Sequence, residues 1–137
     1  MKALFTLLTT AILLAALSGC SGVTFQSPVN LNLAGTWQFT FHSSTAGMTA
    51  TGTVPLQQNG TTLSGQMTLS GAPCATTAVL TGAISGTRIN FQLQEGTQPV
   101  NFTGSIAASG NSASGTYASP SGGCTNGDTG TWSASKI

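Results

Sequence analysis

The sequence predicts an all-β chain closed into an eight-stranded antiparallel up-and-down barrel, with a two-layer β-sandwich as the alternative. Three observations lead there. From Leu33 onward apolar and polar residues alternate with a period of two almost everywhere, and no stretch carries a helical period. A five-residue pattern of apolar, small or hydroxyl, Gly, any, apolar recurs at Leu33-Ala34-Gly35-Thr36-Trp37, Ala50-Thr51-Gly52-Thr53-Val54, Leu63-Ser64-Gly65-Gln66-Met67, Leu80-Thr81-Gly82-Ala83-Ile84, Phe102-Thr103-Gly104-Ser105-Ile106 and Ala113-Ser114-Gly115-Thr116-Tyr117. A further copy, Asp128-Thr129-Gly130-Thr131-Trp132, departs only at its first position. Residues two apart share a face of a strand, so each copy turns its Gly inward between apolar neighbours. Inward glycines suit a sheet that curls on itself. Third, the turns alternate between short and long, as a meander with two unlike ends requires.

The expected strands run over 33–41, 48–57, 61–69, 76–84, 88–94, 100–107, 111–118 and 129–135. Their inward set is Trp37, Phe39, Phe41, Val54, Leu56, Leu63, Met67, Leu69, Ala78, Leu80, Ile84, Ile89, Phe91, Leu93, Val100, Phe102, Ile106, Tyr117 and Trp132. Strands two and three meet at Gln58-Asn59-Gly60, where Asn-Gly tolerates the positive φ of a tight hairpin. Ser85-Gly86-Thr87 and Ala108-Ser109-Gly110 serve the next two turns at the same end. The other connections, 42–47, 70–75, 95–99 and 119–128, are longer and gather at the opposite end.

Cys74 and Cys124 fall in the second and fourth long connections. A meander puts both at one end, as a disulfide requires with its α carbons within about 7 Å. Closing a loop of about fifty residues contributes about 4 kcal/mol by the chain-entropy relation. Zinc would need more ligands than two thiols and one distant His, so neither a metal nor another cofactor is expected.

Ahead of the barrel, Met1-Lys2 precedes an apolar run from Ala3 to Leu17 broken only by threonines, too short for an ordinary spanning helix. It reads as an export signal. Leu17-Ser18-Gly19-Cys20 resembles the lipobox of bacterial lipoproteins. That resemblance implies cleavage after Gly19, a diacylglyceryl group on the Cys20 thiol, and acylation of the new amine, typically by palmitate. Together these chains make a stable anchor. Ser21 stands where an Asp in Gram-negative relatives commonly marks inner-membrane retention, so the resemblance places the protein in the cell envelope at the outer membrane. The division is then signal peptide 1–19, lipidated Cys and tether 20–32, and barrel 33–137. A tether of that length reaches on the order of 40 Å when extended.

The barrel region carries only Arg88, Lys136, Glu95 and Asp128 as formal charges, with His42 as its imidazole. Nucleic acid is excluded as a partner, because neutralising phosphates takes clustered Lys and Arg. Arg88 and Lys136 belong to the tight end, where they suit solvent or anionic headgroups beside the anchor.

Gly35-Thr36-Trp37 is loosely similar to the first strand of lipocalins and avidin-like barrels, in which Gly-x-Trp opens the barrel and the Trp plugs its closed end. Gly115-Thr116-Tyr117 is similar to an avidin-type strand. One Tyr and two Trp are too few for an aromatic box around biotin, so no binding residues follow from this likeness.

Two sets of residues are candidates for a site. Trp37, Tyr117 and Trp132 would plug a filled barrel, or line a pocket for a small apolar ligand. His42, Glu95 and Asp128 all fall at the long-loop end, where they would form a polar cluster. Convergence of the three would permit cation binding or acid-base chemistry, yet each role would rest on one residue of its kind, and the chain has no Gly-x-Ser-x-Gly. The expectation is a lipid-anchored, noncatalytic binding or envelope-structural module. It would act through its long-loop end on protein or glycan, with a small apolar ligand inside the barrel as the alternative and an enzyme at the loop end as the third.

Overall fold

The computed structural model describes residues 30–137. The expected signal peptide, the expected lipidation site at Cys20, and the expected tether through residue 29 lie outside the described residues. Eight strands follow in sequence: β1 (Gly35–Ser43), β2 (Thr49–Asn59), β3 (Thr62–Ser70), β4 (Thr77–Ser85), β5 (Arg88–Gln94), β6 (Pro99–Ile106), β7 (Ser112–Ala118) and β8 (Thr129–Lys136). Each pairs antiparallel with the next, and β8 returns to pair with β1, so the sheet is a closed barrel rather than a sandwich. Every boundary falls within two residues of the one that periodicity gives. A closed ladder also leaves no edge strand open to a neighbouring chain.

Alternation sorts the side chains. Of the expected inward set all are buried except Tyr117, which is half-buried. The outward rows are mostly Thr, Ser, Asn and Gln, a surface suited to water rather than to acyl chains.

The strand glycines decide where the large inward rings can lie. Gly115 pairs with Gly104 on one side and faces Trp132 on the other. A Cβ on Gly115 would overlap the Thr103 carbonyl oxygen, and one on Gly104 would lie 2.6 Å from Trp132 Cζ2. The bare backbone lets the indole lie flat across β6 and β7, where its Nε1 donates to the Thr103 carbonyl at 3.1 Å. The first copy of the repeat departs from the rule. Gly35 is exposed with φ +134°, because the chain is still swinging from an N-terminal plug into β1, and its missing side chain leaves room for Lys136.

That plug closes the tight end. Leu31 and Leu33 are buried, and Gln58 ties them down by accepting from the Leu33 amide at 2.7 Å and donating to the Leu31 carbonyl at 3.0 Å. Trp37 lies above them and donates its indole N–H to the Leu33 carbonyl at 2.7 Å. Leu31 and Asn32, assigned to the tether from sequence, therefore belong to the folded unit. The division into a short end and a long end is also less strict than the turn residues imply. The β6–β7 connection spans 107–111, as many residues as the β1–β2 connection at 44–48, and tucks Gly110 beneath Leu31. Pro55 interrupts the β2–β3 ladder, whose pairing skips from Thr53 to Gln57, since a proline offers no amide hydrogen there.

The glycine rule gives a stability test. Gly115→Ala is expected to cost about 3 kcal/mol, because the new methyl meets backbone that cannot yield. Gly96→Ala, with open space around it, is expected to change stability by less than about 0.5 kcal/mol. Urea denaturation of both variants reads the difference.

Candidate functional site

Above the plug the interior is filled by a run of aromatic rings. Phe39 stacks on Trp132 at 5.8 Å between centroids, Phe91 meets Trp132 edge-on at 5.1 Å and stacks on Phe102 at 4.6 Å. Phe102 in turn contacts Phe41 at 5.6 Å and Tyr117 at 5.4 Å. Offset and edge-to-face pairs of this kind add to the burial of each ring. The run stops short of the long loops, and an open cavity of about 230 Å³ remains there.

Phe41, Leu69, Val100 and Phe102 form the apolar floor and wall of this mouth. Thr45, Ala46 and Met48 come from the β1–β2 connection, Gly71, Ala72 and Pro73 from the β3–β4 connection, and Thr125 and Asp128 from the β7–β8 connection. A disulfide joins Cys74 to Cys124 with their α carbons 5.9 Å apart. In a ring of eight strands the β3–β4 and β7–β8 connections stand opposite one another, so this bond is a strap across the opening. The β7–β8 loop is held inward by its own hydrogen bonds, from the Gly123 and Gly127 amides to the Pro120 carbonyl, both at 3.2 Å.

One carboxylate is built into the wall. Asp128 is 8% exposed and accepts from Ser43 Oγ at 2.7 Å and from the Tyr117 hydroxyl at 2.8 Å. Burial by itself would raise its pKa. The hydrogen bonds from Ser43, Tyr117 and Thr45 outweigh that and hold Asp128 below the ordinary carboxylate value. Tyr117 pays the other side of the interaction: burial first, then its bond to Asp128 and that carboxylate's charge, push the phenol up to about 12. Glu95, at the end of β5, also lines the mouth, and burial raises its pKa with no compensating charge.

The structure separates the residues that the sequence grouped. Glu95 and Asp128 share the mouth, but His42 stands on the outer wall, with Nδ1 3.1 Å from Thr49 Oγ1. The reason is parity: Phe41 points inward, so the next residue points out. Among the described residues no three of His, Cys, Asp and Glu gather as a metal set. Of the aromatic candidates only Tyr117 lines the cavity. Trp37 and Trp132, each 2% exposed, are spent on the plug and on the glycine trough below it. Ser43, Phe41, Leu69 and Val100 were not singled out from sequence as lining residues. They are the inward positions nearest the long connections, and ranking the inward set by distance from those loops would have found them.

No protein-family model matches the chain, and no curated protein matches it. The site must therefore be read from its own chemistry.

Tyr117 is the chain's one tyrosine, so phenolate absorbance reports on it alone. It is expected to titrate near 12, and Asp128→Asn to bring it back toward 10. Because the folded pKa is raised, the stability this bond contributes is present below the ordinary phenol value and is lost as pH rises through about 12.

Proposed function

We propose that this protein is a lipid-anchored binding module of the cell envelope that acts without catalysis, and that its long-loop end is the binding face. The observation that carries this reading is the open apolar mouth over Phe41 and Phe102, at the end of an otherwise filled barrel. Its volume lies below the several hundred Å³ usual for drug-sized ligands, so it suits a small molecule or one apolar group of a larger partner. The chain enters the barrel at the plugged end. An anchor on Cys20 would thus leave the mouth pointing away from the membrane, toward glycan, protein or solutes of the envelope. The separation of His42 from the carboxylates favours binding over acid-base chemistry, since no imidazole faces the cavity.

Two experiments test the reading. The uncharged fluorophore N-phenyl-1-naphthylamine is expected to brighten on the purified protein, and to do so far less with Ala46→Trp, which narrows the mouth from an exposed loop position without touching the barrel interior. Brightening that survives this change would move binding elsewhere. For the anchor, cells fed labelled palmitate are expected to label the wild-type protein and not Cys20→Ala.

A further inference from the structure

The mouth pairs an apolar floor with negative charge, and among the described residues no positive charge lines it. Glu95 and Asp128 both line it. Among the described residues the lysine and arginine, Lys136 and Arg88, end β8 and begin β5 at the plugged end, and His42 faces outward. The two carboxylates are not equivalent. Asp128 already receives hydrogen bonds from Ser43 and Tyr117, which satisfy its charge locally. Glu95 is half-buried beside the apolar lining, and nothing charged offsets the cost of its desolvation. A half-buried carboxylate next to an unfilled apolar cavity is the complement of a ligand with an apolar body and a cationic head. Aromatic rings attract the same kind of head, and Phe41, Phe102 and Tyr117 line the cavity here.

We propose that the mouth binds small amphiphilic cations, seating an alkyl or aryl group over Phe41 and Phe102 and holding an ammonium head with Glu95. This rests on the mouth being the binding face. It adds the chemistry of the occupant: anions are repelled by two carboxylates, and an uncharged ligand leaves Glu95 buried further and uncompensated. Binding is linked to protonation, because the ammonium selects the ionised form of Glu95. The titratable groups facing the cavity are Glu95, Asp128 and Tyr117, and of these Glu95 is the one whose ordinary carboxylate titration is raised. Affinity for the cation therefore falls as pH drops through the raised Glu95 pKa.

The test compares hexylammonium, 1-hexanol and hexanoate, three ligands with the same chain length, by displacement of N-phenyl-1-naphthylamine from the purified protein at neutral pH. Hexylammonium is expected to bind about five- to tenfold more tightly than hexanol, the scale of a partly desolvated ion pair with a cation–π contribution, and hexanoate to bind most weakly. Glu95→Gln is expected to erase the advantage of hexylammonium while hexanol binds as tightly or more tightly, and the folded state of the variant is checked by its thermal melt. Equal binding of hexanol and hexylammonium overturns the cation proposal and leaves the apolar mouth standing, as does a preference for hexanoate. Failure of the fluorophore and all three ligands to bind overturns the reading of the mouth itself.

Discussion

The structure depends on a fit between missing side chains and large ones. Eight strands enclose only enough room for a few layers of residues, and this barrel places four phenylalanines, a tyrosine and a tryptophan within one connected run. They fit because Gly104, Gly115 and Gly130 leave the β6–β8 wall bare beneath them. A Cβ on Gly130 would lie 2.6 Å from the Tyr117 ring, much as one on Gly104 would strike the Trp132 indole. Where the glycines end, the rings end too, and the remaining volume is the mouth. The cavity and the packed core are thus two results of one pattern.

The two ends of the barrel are held by different chemistry. At the closed end the plug is fastened by backbone groups and a neutral amide, Gln58, with the indole of Trp37 over it. At the open end a carboxylate gathers the β1, β7 and β8 termini through Ser43 and Tyr117, and a covalent strap spans the loops. Among the described residues, the closed end has no titratable group in its hydrogen bonds except the Lys136 ammonium, which donates to the Asn32 carbonyl at 3.3 Å. The pH sensitivity of the fold is therefore concentrated at the mouth. With Asp128 depressed below its ordinary pKa, the stability it contributes is present above that value and is lost as pH falls through the folded one.

Strand positions, inward faces and the cysteine pairing were legible because they depend on parity. An even number of strands between Cys74 and Cys124 puts both at one end, and the period of two buries Phe39 and exposes Gln38. The same parity would have removed His42 from its group, since it follows the inward Phe41; sorting residues by barrel end without sorting them by face joined what the sheet divides. Leu31 lay beyond reach for another reason. It sits in a stretch with no period, and its backbone is tied down by Gln58, a side chain 27 residues away. The mouth was not legible either, because a cavity is the space left after every ring has found its place, and no single residue records it.

The chain begins its fold at the plugged end, and it finishes there too: the Ile137 amide donates to the Thr36 carbonyl at 2.9 Å. Tension applied through the N-terminal segment would first have to strip Leu31 and Leu33 from Gln58. It would then load β1, which is paired along its length with both β2 and β8, so that two ladders must give way rather than one. The loops around the mouth lie off this load path. A protein pulled at its base would keep the geometry of its opening until the barrel itself gave way.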